Sequence, residues 1–134
     1  MKRSVKYITA NDLINYSSPI EVLPSIESDE FYDILKIVWK FSASTTNFDY
    51  SGKILFKIGD ERICTLQSDS LSSTTSNAAV SNANICVDNE CPKITLGEPL
   101  KFVLDSTPPT QGNGIVQVDV YYYIDKVGLN WDNQ

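Results

Sequence analysis

Period-two alternation of apolar residues, broken at short intervals by turn signals, is the feature that most narrows what this chain can fold into. Residues 115–125 set Val116, Val118, Val120, Tyr122 and Ile124 against Gln117, Asp119, Tyr121 and Tyr123, the pattern of a strand with one buried face. Residues 31–41 separate Phe31, Leu35, Ile37, Trp39 and Phe41 from Tyr32, Ile34, Lys36, Val38 and Lys40 in the same way. Ile54, Phe56 and Ile58 share a face, the turn Gly59-Asp60-Glu61 follows, and residues 62–66 then read as the second arm of an antiparallel hairpin. Residues 19–24, bounded by Pro19 and Pro24, suit an edge strand whose missing amide donors face solvent. Residues 94–105 carry Ile94, Leu96, Leu100, Phe102 and Leu104, with a bend at Gly97-Glu98-Pro99. Seven or eight such strands predict an all-β fold, an antiparallel β-sandwich of the jelly-roll or immunoglobulin-like kind. The predicted core is Leu35, Ile37, Trp39, Phe41, Ile54, Phe56, Ile58, Phe102, Leu104, Val116, Val118, Val120 and Tyr122.

One helix interrupts the strand pattern. Thr9-Ala10-Asn11-Asp12 is a capping box, Ile8 and Leu13 flank it as a hydrophobic staple, and Ser17-Ser18-Pro19 stops the helix. Residues 1–18 thus read as an arm and a short helix. Residues 68–84 are dominated by Ser, Thr, Asn and Ala, with Leu71 and Val80 as the large apolar residues, and belong to a long surface loop extending to residue 92. Residues 126–134 form a tail. The 134 residues make one domain large enough to bury a core.

Absent residue types remove several chemistries. With no histidine, a Ser-His-Asp or Cys-His pair, a HExxH zinc site and a histidine-ligated metal centre cannot be built, and no cofactor is expected. The formal net charge of −6 repels phosphate backbones and anionic lipid, so neither nucleic acid nor membrane is an expected partner. The amino-terminal residues lack an apolar run of signal-peptide type, and Lys36 interrupts the most apolar stretch, so neither a signal peptide nor a membrane span is expected.

Three groups of residues stand out as candidate sites. Cys86 and Cys91 flank a polar tetrapeptide that can turn and bring them within disulfide range, though a reducing compartment favours two thiols at adjacent strand ends. The carboxylates Asp29, Glu30, Asp33, Asp49, Asp60, Glu61 and Asp119 offer no spacing that selects a catalytic pair, and read as solvated charge. Tyr121 and Tyr123 lie on the outer face of the last strand, where Ile34 and Val38 extend the apolar surface, and Leu129 and Trp131 sit in the tail beyond it. Aromatic residues so placed form either a subunit interface or a sugar-stacking platform.

Read in order, Ser18-Pro19-Ile20-Glu21-Val22-Leu23-Pro24, the strand from Tyr32 to Lys40, Tyr50-Ser51-Gly52-Lys53-Ile54, Glu98-Pro99-Leu100-Lys101-Phe102 and Gly112-Asn113-Gly114-Ile115-Val116 through Tyr122 resemble the small β-sandwich virion proteins of tailed bacteriophages. The resemblance implies a non-enzymatic structural subunit assembled in a host cytoplasm, either decorating a capsid or forming part of a head fibre or tail appendage. It also implies contacts with other virion proteins and a homo-oligomer, a trimer being favoured. The alternative is a tail-associated, lectin-like module that recognises a host-surface glycan.

Overall fold

A computed structural model of the protein describes residues 1–81, 93 and 95–128. Eight strands and two short helices follow in the order β1 (Lys2–Ile8), α1 (Ala10–Ile14), β2 (Ile20–Leu23), β3 (Glu30–Ser42), β4 (Ile54–Ile58), β5 (Glu61–Leu66), α2 (Asp69–Ser72), β6 (Asn77–Ser81), β7 (Leu100–Leu104) and β8 (Ile115–Lys126). Two four-stranded antiparallel sheets result, ordered β1-β8-β3-β6 and β2-β7-β4-β5. Strand β1 pairs with β8, β2 with β7, β3 with β6 and β4 with β5. That nesting is one long antiparallel ribbon rolled over itself, the connectivity of an eight-stranded jelly roll. No helix among the described residues is long and apolar enough to cross a membrane.

Between the sheets lies a core in which the Trp39 and Phe102 rings stack at 6.4 Å and Phe56 meets Phe102 edge-on at 5.9 Å. Every predicted core residue is buried except Leu35 and Tyr122. Tyr122 is half-buried, with its ring edge-on to Tyr32 at 5.4 Å. Leu35 is exposed, and Ile34, assigned by alternation to the outer face, is 1% exposed in the core. A β-bulge explains the exchange. Ile34 pairs with Tyr122 and Lys36 with Tyr121, so Leu35 is the extra residue and the phase of β3 reverses across it. Tyr32 and Ile34 point inward before the bulge, and Ile37, Trp39 and Phe41 after it.

Helix α1 forms where its capping box requires. Thr9 Oγ1 accepts from the Asp12 amide at 3.2 Å, and Asp12 Oδ2 accepts from the Thr9 amide at 2.9 Å, while Ile8 and Leu13 are both fully buried. The amino-terminal arm is strand β1 along residues 2–8, paired with β8 from Lys2–Tyr122 to Ile8–Val116. Residues 68–81 depart from the predicted loop. Residues 69–72 form α2, whose Leu71 is fully buried and whose Ser70 carbonyl accepts from Trp39 Nε1 at 3.2 Å. Residues 77–81 form the edge strand β6. Its inward residues are Asn77, Ala79 and Ser81, with Ala79 directly opposite the large Trp39. A strand whose buried side is small and polar shows no hydrophobic alternation, so its sequence reads as a loop.

The 43–53 connection is tied down by aromatic side chains that alternation does not reveal. Phe48 is 1% exposed and packs on Phe41, and Tyr50 is 3% exposed. The Tyr50 hydroxyl donates to the Lys53 carbonyl at 2.5 Å and accepts from the Asp105 amide at 3.1 Å. A Cβ at Gly52 would collide with Ser106, Asp105 and the Tyr50 hydroxyl, so this turn admits only glycine.

Truncating Trp39 or Phe56 to Ala is expected to cost roughly 3–5 kcal/mol in denaturant unfolding. The bulge predicts a sharp contrast between neighbours: Ile34→Ala costs roughly 2–4 kcal/mol and Leu35→Ala less than about 1 kcal/mol. Equal costs at the two positions would contradict the bulged register.

Candidate functional site

The outer face of the β1-β8-β3-β6 sheet carries Asp33, Val38, Asp119, Tyr121 and Tyr123 among the residues that the sequence singles out. The register builds it in rows that cross the strands. Val5, Asp119, Val38 and Val80 stand opposite one another in one row. Tyr7, Gln117, Lys40 and Ala78 form the next, and Arg3, Tyr121 and Lys36 flank the first on its other side. Tyr7, Val80, Ile115 and Tyr123 remain between 46% and 63% exposed, and Val5 is 39% exposed. Val38 is half-buried on this face, whereas the bulge has carried Ile34 into the core.

Asp119 lies in the middle, on the solvent side of its strand, and yet its side chain is only 2% exposed. Two cations reach it diagonally from the flanking strands, Arg3 Nη2 at 2.8 Å and Lys40 Nζ at 3.2 Å, both on Oδ2. Gln117 Nε2 donates to Oδ1 at 2.9 Å. Burial alone would raise the carboxyl pKa, but the hydrogen bonds from Arg3, Gln117 and Lys40 outweigh it and hold the group down at about 2. Asp119 is therefore not the solvated carboxylate that the sequence implies. It is an ionised hub tying β1, β8 and β3 together across the face. Its signal in the sequence is a charge at the centre of an apolar strand, a position that requires a partner.

Tyr121 belongs to the same network. Lys36 Nζ lies 4.6 Å from its ring centroid and Arg3 Cζ 5.9 Å from it, within cation–π range. Tyr121 is thus half-buried and held in place, and Tyr123, 46% exposed, is the more available of the two. The sequence reading missed Val5 and Tyr7, because it takes the first residues as an arm and not as a strand of this sheet. Leu129, Trp131, Cys86 and Cys91 lie outside the described residues. The remaining cysteine, Cys64, is buried, and burial pushes its thiol pKa up.

The other carboxylates are dispersed. Asp49 clamps the 109–112 turn, accepting from the amides of Thr110 at 2.7 Å and Gln111 at 3.1 Å and from the Thr110 hydroxyl at 2.5 Å, and these bonds lower its pKa. Glu30 Oε1 accepts from the Glu27 amide at 3.0 Å, and Asp29 lies 4.0 Å from Lys126. Glu61 Oε1 accepts from the Lys93 amide at 3.4 Å. Asp60 lines a shallow polar hollow of about 310 Å³ with Gly59, Thr95, Glu98 and Lys101. Asp33 stands opposite Tyr123 on the outer face. Among the described residues, no group of three or more acidic or cysteine side chains is arranged to hold a metal ion.

Comparison with protein-family models and with curated proteins finds no match to this chain.

The depressed pKa of Asp119 fixes the sign of a pH effect. Its ionised form stabilises the fold above the unfolded carboxyl pKa near 4, and that contribution is lost as pH falls through about 2. Asp119→Asn is expected to destabilise by about 1–3 kcal/mol at neutral pH, with the gap from wild type shrinking below about pH 4. Urea unfolding across that range measures it, and a pH-independent gap would contradict the ionic role.

Proposed function

We propose that this protein is a non-catalytic structural subunit of a bacteriophage virion, attached to neighbouring copies or to other virion proteins through the outer face of the β1-β8-β3-β6 sheet. The reading rests first on that face. Its buried carboxylate, Asp119, is paired within the chain, and the large apolar and aromatic side chains exposed around it are Val5, Tyr7, Val80, Ile115 and Tyr123, with half-exposed Arg3 and Lys40 among them. Interfaces are enriched in tyrosine and arginine, and this surface carries both, with its central carboxylate already paired. The jelly-roll connectivity supports the reading further, since that architecture recurs in viral capsid domains, although a fold alone does not fix a function.

Lectins also use the jelly roll, and exposed Tyr7 and Tyr123 give a glycan-binding reading its one specific support. The two readings differ in what the tyrosines meet. In the assembly reading the face is flat and buries on the order of 1,000 Å² or more against protein, with copies arranged about a symmetry axis and a trimer favoured.

Sedimentation of the full chain over a range of concentrations tests the assembly. The wild type is expected to self-associate, and Tyr7→Ser with Tyr123→Ser to shift it toward monomer while the fold persists. A wild type that stays monomeric at high concentration and binds immobilised glycans through these tyrosines would replace the virion reading with the lectin-like one.

A further inference from the structure

The opposite outer face, on the β2-β7-β4-β5 sheet, treats charge differently. Lys101 of β7 stands directly opposite Lys57 of β4, and Lys57 directly opposite Arg62 of β5. Lys57 and Lys101 alternate with buried neighbours and Arg62, paired with Lys57, is exposed, so all three lie on the solvent side. A second bulge, between Phe56 and Lys57, brings Arg62 into this row. Like charges in directly opposed positions destabilise a sheet. Among the described residues no carboxylate forms an ion pair with any of the three. Glu21 on β2 faces Lys101 across the strand pair without closing an ion pair, and Asp60 and Glu98 share the hollow beside Lys101. Within a chain of net charge −6 this is a concentrated basic row, maintained at a cost to the sheet that bears it. Beside it runs a parallel row of Val103, Leu55 and Thr65, all half-buried.

From this pairing of rows we infer that the face docks an acidic amphipathic helix of a partner protein. Adjacent strands place the three cations about 5 Å apart, and side chains at i, i+3 and i+4 on a helix recur at about 5–6 Å, closer than the ~7 Å between same-side residues of an extended strand. Carboxylates along one helix stripe meet the row, and the neighbouring aliphatic stripe covers Leu55 and Val103. The chemistry of the face disfavours other anions. No aromatic side chain lies in either row to stack on a sugar or a base, and the net charge opposes a long polyanion. This docking surface is independent of the tyrosine face, which lies on the other sheet.

Fluorescence anisotropy with the full chain tests it. The probe is a labelled 15-residue helical peptide carrying Glu at successive i, i+4 positions and Leu on the adjacent stripe. A Lys-for-Glu version of the peptide, heparin and inorganic phosphate serve as comparisons. The Glu peptide is expected to bind, to weaken as salt is raised, and to lose at least about tenfold in affinity in Lys57→Gln/Lys101→Gln. Absence of binding, binding unchanged in the double variant, or tighter binding of heparin or phosphate would overturn the proposal. A readout independent of the probe is thermal unfolding at low salt. Relieving the repulsion with Lys57→Gln is expected to raise Tm by about 1–4 °C, and a lowered or unchanged Tm would remove the argument from cost.

Discussion

Twelve residue pairs join β3 to β8, from Glu30–Lys126 to Ser42–Ile115, and every other part of the first sheet is hung on that ladder. Its partners are far apart in the chain, so ordering the long connection between them is a large entropic debt of the fold. What offsets it is a continuous buried surface on both sheets, with Val116, Val118 and Val120 from one strand and Ile37, Trp39 and Phe41 from the other facing Phe102 and Phe56 across the sandwich. The ladder also carries the bulge at Leu35. Were Leu35 paired in regular alternation instead of bulged out, the carboxyl-terminal half of β3 would present Lys36 and Lys40 to the core and Ile37 and Trp39 to water, an arrangement far costlier than one interrupted hydrogen-bond step.

The sandwich was legible because most strands bury only one side. Val116 to Ile124 and Ile54 to Ile58 alternate cleanly, and the hairpin, the proline-bounded edge and the capping box each have a local signature. Alternation failed where the local pattern carried no phase. Ile34 and Leu35 are adjacent and both apolar, so neither marks the bulge by itself. The mark lies in the flanking charges: Asp33 and Lys36 are an odd number of residues apart yet both lie on the outer side, which an unbroken strand does not allow. Strand β6 was invisible for a different reason, since Ala79 is small because Trp39 across from it is large, and such complementarity belongs to the pair and not to either segment.

The candidate face was legible in part. Tyr121 and Tyr123 are placed on it by simple alternation, but its organising residue is Asp119, whose partners come from two other strands and lie 116 and 79 residues away. No local pattern encodes contacts at that separation. The sequence supplies only the anomaly of a charge amid Val118 and Val120, and the fold supplies its resolution.

The two outer faces of the sandwich solve the same problem in opposite ways. On the first sheet the central carboxylate is matched in place by Arg3 and Lys40, whose own side chains stay about half exposed among the tyrosines and valines. On the second, Lys57, Lys101 and Arg62 are set side by side without a closed ion pair among the described residues, although Glu21 faces Lys101. A carboxylate already buried and paired within the chain can be covered without being stranded as an ion, because its desolvation has been met by the chain itself. A face with unmatched charge gains only when a partner brings the opposite sign. Contacts at the first should therefore depend on salt less than contacts at the second, which separates the two surfaces in solution even if both are occupied at once.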